Sequence, residues 1–64
     1  MWTTVYVATG RENAFEIGDK LKAIGFLIKV EFLTLEGNDE LYEIIGPEFE
    51  VDDITTAMAE LGIV

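Results

Sequence analysis

The chain opens on a run rich in Thr, Val and aromatic residues, from Trp2 to Ala8, and Gly10 closes it. Such a run reads as a β-strand. Alternation places Val5 and Val7 on one face, and Trp2, Thr4, Tyr6 and Ala8 on the other. The period then lengthens. Ala14, Ile17, Gly18, Leu21 and Ile24 recur at three and four, the stripe of a helix that faces a core. Thr9 and Glu12 have the spacing of a capping box, Glu16 and Lys20 that of an i,i+4 ion pair. Gly25 follows as a C-terminal glycine. Phe15 lies off the stripe and flanks the core. Alternation returns over Phe26–Leu35, with Phe26, Ile28, Val30 and Phe32 on one face and Leu27, Lys29, Glu31 and Leu33 on the other. The polar turn Glu36-Gly37-Asn38-Asp39 joins this strand to a third over Leu41–Ile45, which Gly46-Pro47 stops. A second helix spans Val51–Leu61 on the stripe Val51, Ile54, Ala57, Met58 and Leu61. Phe49 and Ile54 are spaced as a hydrophobic staple about Glu50, and Gly62 ends the helix.

The order is β-α-β-β-α, an α+β fold formed as one domain over residues 1–64. A right-handed crossover joins strands one and two. The compact arrangement inserts strand three between them, in the order 1-3-2, with both helices on one face. This is a split β-α-β, ferredoxin-like arrangement that lacks the fourth strand. Two surfaces are then exposed. Strand one has an unpaired outer edge, a template for another chain. The helix-free face carries Trp2, Thr4, Tyr6, Leu27, Lys29, Glu31, Leu33, Leu41, Glu43 and Ile45 by alternation. So many large apolar groups on an open face point to contact with a partner. The candidate interaction residues are Trp2, Thr4, Tyr6, Leu27, Lys29, Leu33, Leu41 and Ile45.

Charge sharpens this picture. Thirteen acids stand against four bases, a formal charge of -9. Residues 1–35 are neutral, with Arg11, Lys20, Lys22 and Lys29 balancing Glu12, Glu16, Asp19 and Glu31. Residues 36–64 hold nine acids and no base. Binding to nucleic acid or to an anionic membrane is disfavoured, and a protein partner, another chain or a second copy in a homodimer, is expected. The opening Met1–Tyr6 lacks the basic and apolar regions of a signal peptide, so the expected compartment is the cytoplasm.

The chain contains no His, Cys or Ser. Zinc sites built from Cys or His, disulfide staples and Ser-His or Cys-His nucleophiles are therefore excluded. No cofactor is expected. Glu36–Glu40 is too short for an EF-hand calcium loop. Glu48, Glu50, Asp52 and Asp53 read as charge favoured at a helix start. A domain this thin has little room for an enclosed pocket of about 300 Å³, so no enzyme is expected. Thr9-Gly10-Arg11 opens a helix after a strand, but one glycine is not a phosphate-binding fingerprint. The expected function is a small acidic interaction or regulatory module that works through the helix-free face or the strand-one edge. The alternative is a sensor that holds a metabolite or anion at a dimer interface or at the start of helix one.

Met1-Trp2 leading into Val5-Tyr6, a first helix ending in Gly25-Phe26, Tyr42-Glu43-Ile44 followed by Pro47-Glu48, and the closing acidic-then-apolar helix carry a resemblance over nearly the whole chain. They resemble the small prokaryotic signal-transducing proteins, a bacterial family of unknown function. The resemblance implies a ferredoxin-like or nitrogen-regulator-like domain and a part in signal transduction. It carries over no catalytic or binding residue. The chain departs from the family pattern at Gly46, where an aliphatic residue is common.

Overall fold

The computed structural model describes residues 1–64. The elements are β1 (Trp2–Thr9), α1 (Arg11–Ile24), β2 (Lys29–Glu36), β3 (Asp39–Pro47), a 3-10 turn (Glu48–Glu50) and α2 (Val51–Glu60). The sheet order is β1-β3-β2, with both pairings antiparallel. This is the expected α+β architecture.

Local chemistry accounts for most of the boundaries. Both α-helices end in a Schellman motif: Phe26 N–H donates to Leu21 C=O and Gly25 N–H to Lys22 C=O, and Ile63 and Gly62 repeat the pattern on Met58 and Ala59. In each case the residue after the glycine, Phe26 or Ile63, packs back onto the core. The β2–β3 hairpin closes on Gly37-Asn38 between the paired Glu36 and Asp39. Gly37 has φ +63° and Asn38 does not share the positive φ, the sign pattern of a type II′ turn.

The core joins Ala8 of β1, Ala14, Ile17 and Leu21 of α1, Ile28 just before β2, Tyr42 and Ile44 of β3, and Ile54, Ala57 and Met58 of α2. Both helices therefore cover the sheet face that carries Tyr42 and Ile44. The accessible surface is 4130 Å² for a 7.1 kDa chain. That matches the roughly 4,100 Å² of a compact monomer of this mass.

Four boundary expectations change. The capping box does not form: Thr9 stays in β1 opposite Leu41, Gly10 becomes the cap residue, and no side chain caps α1. Strand three runs through Gly46 and Pro47, which pair with Thr3 and Trp2. Glycine suits the close approach there, since a Cβ on Gly46 would lie 2.5 Å from Ile54 Cδ1 and would force that methyl to move. The Phe49–Ile54 staple is absent, because the 3-10 turn carries Phe49 outward and leaves it 81% exposed. Glu50 caps nothing at α2; its Oε1 accepts Leu27 N–H at 3.1 Å instead. Strand two begins only at Lys29, so Phe26 and Leu27 precede it.

Candidate functional site

Register decides which side chains share a face, because directly paired residues do. Tyr42, Ile44 and Gly46 lie on the helix side, so Leu41, Glu43 and Ile45 lie on the helix-free side. Trp2 pairs with Pro47 and Thr4 with Ile45, which keeps both on the helix-free face. A bulge then intervenes. Val5 has no partner, Tyr6 pairs with Ile44, and Val7 pairs with Glu43. The extra residue reverses the alternation. Tyr6 turns to the helix side, where it packs against the core, and Val7 takes the helix-free face at 44% exposure. The expected grouping of Tyr6 and Ala8 with Trp2 and Thr4 is thus corrected, Ala8 lying in the core opposite Tyr42, and so is that of Val7 with Val5.

On β2, Lys29 pairs with Ile45 and Glu31 with Glu43. A second bulge leaves Leu33 unpaired between Phe32 and Thr34, and Thr34 returns opposite Leu41. Of the candidate interaction residues, the helix-free face gathers Trp2, Thr4, Lys29, Leu41 and Ile45. It does not gather Tyr6, and Leu27 lies ahead of the strand.

The face is also less open than its composition suggests. Lys29 Nζ lies 4.1 Å from the Trp2 ring centroid, a cation–π contact. The contact spans the central strand and roofs Ile45, which is 9% exposed although it lies outside the core cluster. At the middle of the face Glu31 stands directly opposite Glu43, a like-charge pair that opposes an apolar contact. Thr4 Oγ1 donates to Glu43 Oε1 at 3.1 Å. What remains is a mixed surface with Trp2 and Val7 near its β1 margin.

The edges of the sheet differ from each other. β2 carries Lys29, Glu31 and Glu36 along its edge. β1 carries no charged residue and no proline over its eight residues, and its outer side pairs with nothing. Charge, proline and cover are the usual means of blunting an edge strand, and β1 has only its bulge.

The start of α1 is tied to its neighbours, although no side chain caps its first-turn N–H groups. Gly10 N–H donates to Glu40 C=O at 2.7 Å, and Asn13 Nδ2 donates to Thr9 C=O at 3.3 Å. The Arg11 guanidinium lies 5.5 Å from the Phe15 ring centroid, over an edge-to-face series that runs from Phe15 to Tyr42 to Phe32. Burial pushes the Tyr42 phenol above its ordinary pKa, and the hydrogen bond to Glu40 Oε1 and the charge of Glu40 add to the rise. Glu12 occupies the first turn.

A concavity of about 940 Å³ runs beside α1, but only that helix lines it, from Arg11 to Ala23. Its polar groups do not converge from separate elements as those of a ligand pocket do. A smaller groove of about 260 Å³ lies between α1 and the end of α2, where Tyr6, Ile17, Leu61 and Ile63 meet. No group of three or more Asp or Glu side chains gathers in a metal-binding cluster. No helix is long and apolar enough to cross a membrane. Comparisons with protein-family models, with curated proteins and with solved structures find no match for this chain.

Proposed function

We propose that this chain is a small acidic interaction module of the cytoplasm that binds another protein chain by strand addition at the outer edge of β1. The carrying observation is the edge itself: eight residues, Trp2–Thr9, with no charge, no proline and no neighbour on one side. Main-chain hydrogen bonds to an added strand supply the affinity, and the flanking side chains supply the specificity. Val7 and Trp2 flank the edge on the helix-free face, and Tyr6 and Ile63 flank it on the helix face. Both faces of an added strand would therefore meet apolar groups. The helix-free face serves as the margin of this contact and not as its centre, because Glu31 and Glu43 occupy its middle. The resemblance to small signal-transducing domains agrees with a regulatory role of this kind. The module performs no catalysis in this reading.

A peptide with the sequence of Trp2–Thr9 is the simplest strand donor. Titrated into the labelled protein, it is expected to perturb the backbone amide signals of β1 and leave those of β2 in place. Perturbation centred on the start of α1, or on β2, would contradict the proposal.

A further inference from the structure

The charge distribution narrows the identity of the added strand. We infer that it is β1 of a second copy, so that two three-stranded sheets join into one sheet of six strands. This inference rests on the reading of β1 as the contact edge. The net charge of -9 lies wholly within residues 36–64, and β1 has none of it. Two copies that meet at β1 therefore place no like charges in the new ladder. Joined at β2, they would bring Lys29, Glu31 and Glu36 of both copies into the junction, two acids against one base from each. A β1-to-β2 joint would be heterologous and would leave a free edge at each end for further growth, whereas β1 against β1 uses the same patch twice and closes as a pair.

The side chains at the edge suit a self-contact. Trp2 at 47% and Val7 at 44% exposure lie near the β1 margin of the helix-free face. Tyr6 and Ile63 form part of the groove on the helix side. Only 14 of the 64 residues are buried within the monomer. A chain of this size without disulfide or metal gains stability from association.

The pairing has an electrostatic signature. α2 lies over β1 and β3 and carries Asp52, Asp53 and Glu60 with no base. An antiparallel joint about a twofold axis normal to the sheet brings two such helices to the same side. Their repulsion is screened by salt, so the dimer tightens as salt is added. A contact with a basic partner would loosen instead.

Sedimentation equilibrium of the full chain, from micromolar to millimolar protein and at low and high salt, tests this. The mass is expected to rise with concentration to twice that of the chain, with tighter association at high salt. Val7→Lys and Thr9→Lys each place a charge on an exposed β1 position, and each is expected to weaken association about tenfold or more, since juxtaposed like charges cost several kcal/mol. Leu35→Lys, on the exposed part of β2, is expected to leave it unchanged. A wild type that stays monomeric at millimolar concentration overturns self-pairing and leaves strand addition by a different chain standing. A dimer that loosens with salt overturns self-pairing as well. A dimer insensitive to both β1 variants but dissociated by Leu35→Lys overturns the β1 reading itself.

Discussion

Ile44→Ala is expected to remove a large part of the chain's stability at room temperature. Ile44 is fully buried in the central strand, between Tyr6 on one side and Val30 on the other, and it lies in the core beneath the two helices. Truncation of a buried Ile removes transfer free energy and leaves a cavity, a loss of about 2–5 kcal/mol. A chain of this length has a total stability of only about 3–10 kcal/mol, at roughly 0.05–0.15 kcal/mol per residue. Small domains bury a smaller fraction of their surface, which favours the lower end of that range. The loss is therefore comparable to the whole. Urea unfolding followed by far-ultraviolet circular dichroism would show a lower midpoint or no folded baseline. A loss below about 1 kcal/mol would mean that the core does not centre on β3.

Gly46→Ala is expected to be the next most damaging of the single changes, although it adds only one methyl group. The new Cβ would lie 2.5 Å from Ile54 Cδ1 and 3.6 Å from the Leu27 carbonyl oxygen. Ile54 is fully buried, so its δ-methyl must repack within the core or α2 must lift from the sheet. Overpacking of this kind costs about 1–3 kcal/mol. Gly18→Ala makes an instructive comparison. Its Cβ would meet Val30 Cγ2 at the same 2.5 Å, but Gly18 sits inside α1. There alanine recovers about 1 kcal/mol of helix propensity, so the net loss is smaller. Thermal unfolding of the two variants side by side should rank Gly46→Ala below Gly18→Ala. The reverse order would show that the α2–β3 approach is looser than the α1–β2 approach.

The sequence pattern carried the element order, the sheet order and the C-terminal end of α1, because each rested on several signals that agree. The stripe from Ala14 to Ile24 and the glycine after it mark the same helix end that the hydrogen bonds show. Features set by a single residue's tertiary surroundings were not legible. The bulge at Val5 inserts one residue without any compositional mark, and counting by twos through it misplaces Tyr6, Val7 and Ala8. Thr9 has the right chemistry for a cap, but strand pairing with Leu41 claims it first. Gly46-Pro47 has the composition of a strand stop, yet the close approach of α2 makes glycine the residue that lets the strand continue. The apolar count of the helix-free face was legible; its closure by Trp2 and Lys29 was not, because it depends on a long side chain reaching across the central strand. The absence of charge in Trp2–Thr9 stands in plain view in the sequence. Its weight appears only when the fold places that stretch at an edge.

Amide hydrogen exchange, resolved by residue and compared between dilute and concentrated protein, tests the β1 edge most directly. In an isolated chain, the β1 amides that do not point toward β3 have no partner and exchange quickly. These amides are expected to gain protection as concentration rises, while exposed amides of β2 and of the 3-10 turn keep their rates. Protection gained along β2, or confined to residues around Phe49 and α2 with the β1 edge still exchanging freely, would contradict it.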